Sequence, residues 1–140
     1  MNIIIHSATE KHARSIAELY SQLGYHTEVD YIKKNLAHTP DTQTFVACSN
    51  EEVVGVIEFH LIKSVYRPEP AGHISALVVS EQLRSQGIGS KLLGHVEKLA
   101  KKLGCAYLEV TSNRKRERAH AFYERHGLSQ ESHCYFRKMF

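Results

Sequence analysis

The segment Leu77-Val78-Val79-Ser80-Glu81-Gln82-Leu83-Arg84-Ser85-Gln86-Gly87-Ile88-Gly89-Ser90 constrains this chain more than any other. Its apolar start, with Ala76 before it, predicts a strand buried on both faces. A long helix is expected over 86–103, because Ile88, Leu92, Val96, Leu99 and Leu103 form one stripe, broadened by Leu93 and Ala100. Lys91, Lys98, Lys101 and Lys102 then face water. A buried strand feeding a long helix through a short turn requires an α/β arrangement.

Two glycines open that helix. The first N–H groups of a helix have no intrahelical acceptor and lie at the positive end of its dipole, so they make an anion site. Gly87 and Gly89 keep side chains out of it, and Arg84 adds charge from outside. Each hydrogen bond to a charged oxygen contributes about 1.5–3 kcal/mol, so three or four converging N–H groups would hold a diphosphate. The plainer reading is a tight strand-to-helix turn. Rival phosphate motifs fail: G-x-x-x-x-G-K-[ST] is absent, and a dinucleotide fingerprint would need a third glycine near Leu92.

The other elements place this unit. A first strand is expected over 3–6 and a helix from Thr9, with Ala13, Ile16, Ala17, Tyr20 and Leu23 on one side and Gly24 as its stop. A shorter helix over 27–38 carries Val29, Ile32 and Leu36, with Pro40 at its exit. Strands over 44–48 and 53–62 flank the turn signal Ser49-Asn50-Glu51-Glu52, which predicts an antiparallel pair. Pro68, Pro70 and Gly72 make 63–72 read as a loop, with the next strand over 73–79. After the long helix come a strand over 105–111, a helix over 117–126 with Ala119, Phe122, Tyr123 and His126 on one side, and a last strand over 132–140. Hairpins combined with one strand–helix–strand crossover predict a single-domain α/β fold over 1–140 with a mixed sheet.

Composition narrows the class. The 140 residues are 42% hydrophobic and 24% charged, enough for one core and too apolar for disorder. The apolar start at Ile3-Ile4-Ile5 is too short for a signal peptide or a membrane span, so the expected location is the cytoplasm, without membrane association. Cys48, Cys105 and Cys134 form no C-x-x-C pair and read as free, buried thiols. Ten histidines show no recognised ligand spacing, so no metal is expected. A net charge of +3 without a helix-turn-helix or an aromatic-basic strand argues against nucleic acid.

The run Arg84-Ser85-Gln86-Gly87-Ile88-Gly89 after a buried strand resembles the signature [Arg/Gln]-x-x-Gly-x-[Gly/Ala] of the GNAT superfamily of acetyl-CoA-dependent N-acetyltransferases. The resemblance covers nearly the whole chain and implies a mostly antiparallel sheet flanked by helices, with splayed central strands. It further implies that acetyl-CoA lies along Leu77, Val78 and Val79, with its phosphates at Arg84 to Ser90, and touches Asn113 and Phe122. Tyr123, in Phe122-Tyr123 on the helix after the splayed strand, takes the position of the family's general acid. Many relatives carry a glutamate on the strand before the loop; Ala76 leaves that position empty here.

The chemistry explains those needs. An alkylamine with a pKa of about 10.4 must lose a proton before it attacks a thioester, and a thiolate whose acid has a pKa of about 8.5 leaves more easily with an acid beside it. Tyr123 can serve as that acid, or can simply be core. Glu58, His60, His73 and Glu109 could each direct a water chain, though strands often carry such residues for no catalytic purpose. The cluster Arg114-Lys115-Arg116-Glu117-Arg118 reads as a solvated loop, or as a contact with coenzyme phosphates or an acidic amine. The expected function is acetyl transfer to a primary amine, with small molecules such as aminoalkylphosphonates or aminoglycosides as the leading acceptor class. Protein acetylation and non-catalytic sensing of acetyl-CoA are the alternatives. Family members often dimerise, which admits a homodimer.

Overall fold

The computed structural model describes residues 2–36, 39, 41–112 and 114–140. Five strands form one sheet in the order β1-β2-β3-β4-β5: β1 (Ile3–Ser7), β2 (Thr42–Ser49), β3 (Glu52–Ser64), β4 (Arg67–Val79) and β5 (Leu108–Val110). The first four pair antiparallel, and β5 joins β4 in parallel after the crossover. The helices are α1 (Ala13–Gln22), α2 (Val29–Asn35), α3 (Ile88–Lys102) and α4 (Glu117–Arg125).

Alternation along the strands divides the apolar side chains between two layers. Phe45, Ala47, Ile57, Phe59 and Ile74 meet Ile88, Leu92 and Val96 of α3. Val46, Cys48, Val56 and Val78 meet Ile16 and Leu19 of α1 and Ile32 of α2. The sheet is therefore covered on both faces. A 3-10 turn, Glu10–His12, leads into α1; the Thr9 N–H donates to Nδ1 of the buried His12 at 2.9 Å, which holds the helix entry.

Several expectations are corrected. The stretch 63–72 is not a loop: β3 runs on to Ser64, the chain turns at Val65-Tyr66, and β4 begins at Arg67. Its prolines are tolerated because the pairing register slips there and β5 reaches β4 only from Gly72 onward, so their missing N–H groups interrupt no ladder. The expected strand over 105–111 is reduced to Leu108–Val110, since the Cys105 N–H closes the α3 terminus on the Ala100 carbonyl at 2.9 Å. Residues 132–140 form no strand; a strand needs a ladder partner, and the short β5 edge provides none. The second helix begins later than expected and ends at Asn35, whose amide bonds the Tyr31 carbonyl at 2.8 Å; His38 and Pro40 lie outside the described residues. All three cysteines are free, but only Cys48 is buried; Cys105 is half-buried and Cys134 exposed.

Candidate active site

β4 and β5 run side by side at only three positions, Gly72↔Leu108, His73↔Glu109 and Ile74↔Val110. Beyond them β4 continues against β3 to Val79, while the chain after Val110 leaves for α4. The sheet is thus splayed at its last strand pair. A cavity of about 460 Å³ opens there, within the usual range for small-molecule sites. Ser75, Ala76 and Leu77 form one wall and Val110, Thr111 and Ser112 the other; Glu58, Tyr20, Arg116 and Tyr123 also line it. The Ser112 hydroxyl is buried with no hydrogen-bond partner among the described residues.

At the end of β4 the chain makes one 3-10 turn, Glu81–Leu83, and enters α3 through Ser85 at φ 67° and Gly87 at φ 82°. The Lys91 N–H makes the first intrahelical bond, to the Gly87 carbonyl at 3.1 Å. The N–H groups of Ile88, Gly89 and Ser90 precede it, the set that a helix leaves for an anion. The two glycines have different uses. Gly87 supplies the left-handed backbone, and a Cβ there would meet nothing within 4 Å. Gly89 permits close approach, because a Cβ there would lie 3.2 Å from the Phe122 ring.

That approach ties α4 to the loop. Besides Phe122 on Gly89, the Ser90 hydroxyl lies 2.8 Å from Nε2 of His126, and Arg118 reaches the Ser85 hydroxyl at 3.4 Å. His126 Nδ1 is 2.8 Å from the Phe122 carbonyl, and its ring packs on Phe122 at 4.4 Å. With one side of α4 fixed in this way, Tyr123 borders the cavity. Burial raises its phenol pKa, against an opposing pull from Arg116, so the hydroxyl stays protonated.

The structure distributes the expected site residues unevenly. Leu77 and Tyr123 face the cavity, whereas the side chains of Val78 and Ile88 are in the core and leave only their main chain for a ligand. Arg84, Ser85, Gln86 and Gly87 are exposed at the loop, with Arg84 Nε 3.5 Å from the Val79 carbonyl. Phe122 packs between Gly89, Tyr123 and His126. Asn113 lies outside the described residues. The basic cluster divides: Arg116 lines the cavity while Arg118 points to the loop.

Of the four polar strand residues, Glu58 alone lines the cavity, where it accepts a 2.6 Å hydrogen bond from the Tyr20 hydroxyl. His60 binds Ser75 at 2.7 Å, and His73 lies 3.6 Å from Glu109, too far for a hydrogen bond. The Tyr20 contact was missed by sequence reasoning because Tyr20 belongs to the apolar stripe of α1. The available signal was Glu58 itself, an acid two positions after Val56 on the same face of β3. Among the described residues no group of three or more His, Cys, Asp or Glu could hold a metal, and no helix is long and apolar enough to cross a membrane.

The sheet is thus forked, with a helix N-terminus beside the fork and the tyrosine-bearing α4 across it. A sequence profile described as the Acetyltransferase (GNAT) family matches residues 8–128, and the chain belongs to this family. It is an acyltransferase of the N-acetyltransferase class. It is 38% identical over 120 residues to an aminoalkylphosphonate N-acetyltransferase of Salmonella typhimurium, across 86% of this chain and 77% of that protein. Among solved structures, a transcriptional regulator from Bacillus halodurans C-125 superposes with a TM-score of 0.88 at 25% identity, covering 99% of this chain and 100% of that one. An aminoglycoside acetyltransferase from an uncultured soil metagenomic sample has a TM-score of 0.84 at 19% identity, covering 99% and 96%. A ribosomal-protein-alanine N-acetyltransferase from Brucella melitensis biovar Abortus 2308 has a TM-score of 0.83 at 17% identity, covering 99% and 100%. Since these names span different acceptors on one fold, the fold does not choose the acceptor.

Proposed function

We propose that residues 1–140 are one N-acetyltransferase domain that moves acetyl from acetyl-CoA to the primary amine of a small, acidic molecule, an aminoalkylphosphonate being the leading candidate. The observation that carries this reading is the cavity at the splay, which brings Tyr123, Arg116 and Glu58 to the open end of β4. Its size suits a small molecule, and the similarity to the Salmonella aminoalkylphosphonate enzyme supports an acceptor that carries an anion. In this reading Arg116 meets the acceptor's acidic group, whereas Arg84, Arg118 and the N–H groups from Gly87 to Ser90 hold the coenzyme's diphosphate. The pantetheine arm lies along Leu77, Val78 and Val79, with Asn113 and Phe122 completing the coenzyme site. The site operates in the cytoplasm, and the protein acts as a homodimer.

In the reaction the ammonium first loses a proton to solvent. The free amine then attacks the thioester carbonyl; the C–N bond forms, the C–S bond breaks, and its electron pair leaves on sulfur. Tyr123 gives its proton to that sulfur, and the proton shed by the nitrogen returns to Tyr123 through solvent. A phenol is a weaker acid than the thiol it protonates, so the Tyr123 hydrogen bond to sulfur strengthens as the C–S bond breaks and the proton crosses with reprotonation of the phenolate from solvent. Thiol release from acetyl-CoA, measured with aminoalkylphosphonates, aminoglycosides and peptides, tests the reading. Faster release with an aminoalkylphosphonate is expected; release only with peptides, or with no acceptor at all, overturns it.

A further inference from the structure

We propose that Glu58, oriented by Tyr20, is the seat of the acceptor's ammonium group and the residue that selects cationic amines. The proposal rests on the acetyl-transfer reading above and assigns one end of the acceptor site.

Glu58 is the one carboxylate among the described residues that line the cavity, as Arg116 is the one cation. Arg116 makes no ion pair with it, and the hydrogen bond described for it is the 2.6 Å contact from the Tyr20 hydroxyl to Oε2. Oε1 therefore has no described partner. Glu58 is half-buried, but Oε1 is not among the buried atoms, so it stays open to the cavity, where an arriving cation can pair with it. Its cross-strand neighbours leave the space for one: Glu58 is paired with Thr44 on β2 and with Ala76 on β4. Directly paired residues share a face of the sheet, and the Ala76 side chain is too short to cover the carboxylate.

Tyr20 fixes the group. Its ring belongs to the apolar layer beneath α1, while its hydroxyl spans from helix to strand. Burial, then the Glu58 charge and the hydrogen bond to it, all raise the phenol pKa, so Tyr20 remains a donor throughout the working pH range. An amine of pKa about 10.4 arrives protonated near neutrality and finds a fixed anion at one end of the cavity.

Glu58→Gln keeps size and hydrogen-bonding capacity and removes the charge. With an aminoalkylphosphonate, kcat/KM should fall about 10–100-fold, as expected when a hydrogen bond between charged groups is lost, while the KM for acetyl-CoA stays within about twofold. Tyr20→Phe should lower the same ratio about tenfold and leave the coenzyme untouched. The discriminating readout is an aryl amine, uncharged at neutral pH, whose turnover should be the same in Glu58→Gln as in the parent. An equal loss with both amines, or no loss with either, overturns the ammonium seat. If the parent releases no thiol, the transfer reading fails by itself, and calorimetry with an aminoalkylphosphonate decides the seat: weaker binding in Glu58→Gln upholds it, equal binding overturns it.

Discussion

Tyr123 and Glu58 border one cavity, and the proposed reaction gives them opposite duties, one toward the sulfur that leaves and the other toward the nitrogen that arrives. Tyr123→Phe removes a hydroxyl and keeps the ring against Phe122, so stability should change little. Loss of general acid help should lower kcat about 10²–10⁴-fold with unchanged coenzyme affinity; steady-state kinetics showing a kcat within about threefold of the parent would remove Tyr123 from the acid's role. A second residue-scale prediction concerns pH. Burial, then Lys11 and His6, depress the pKa of His12, whose Nδ1 must stay unprotonated to accept the Thr9 N–H; burial and Lys98 depress that of His95. The unfolded chain takes up protons at these sites near pH 6.5 and the folded chain only below that. Stability is therefore complete above about pH 6.5 and declines as the pH falls through the depressed folded values. Thermal melts between pH 8 and pH 5 should show this decline, and His12→Asn, which keeps an acceptor and cannot titrate, should reduce it.

At the scale of elements, the join between α3 and α4 positions the site. Gly89 lets Phe122 approach the first turn of α3, and Ser90 with His126 locks the same crossing. Gly89→Glu, which would place a negative charge at the proposed diphosphate site, should abolish coenzyme binding, but its Cβ also presses on Phe122, so binding loss alone does not separate charge from packing. Gly89→Ala isolates the packing: it should cost about 1–3 kcal/mol in urea unfolding, and less in a Phe122→Leu background where the ring is gone. Equal costs in the two backgrounds would mean that the ring does not set the crossing. Gly87→Ala should cost about 1–2 kcal/mol by strain, with no dependence on Phe122.

Across the molecule, helices cover both faces of the sheet, while the β5 edge has no further strand among the described residues and residues 129–140 are exposed. Tyr135, Phe136 and Phe140 are 69%, 91% and 112% exposed, apolar surface that a single copy does not bury. For the proposed homodimer, sedimentation should give twice the chain mass of 15.9 kDa, and Phe136→Ser with Phe140→Ser should shift it toward one copy. A parent that remains a single copy at all concentrations would remove the homodimer from the reading.

The sequence by itself determined the two-sided core, the crossover and the glycine turn into α3, because hydrophobic period and backbone freedom are local properties written within a few residues. Periodicity left Tyr123 as core or site alike, and it was the family resemblance that singled out this residue at the cavity's edge. What needed the tertiary structure was everything set by partners far along the chain. Residues 63–72 became the end of a hairpin because β3 and β4 found each other despite two prolines, and 132–140 did not become strand because no edge received them. The same holds for the site: Tyr20 and Glu58 are separated by 38 positions, and only the packing of α1 on β3 turns a core-stripe tyrosine and a strand acid into one hydrogen-bonded pair at the mouth of the splay.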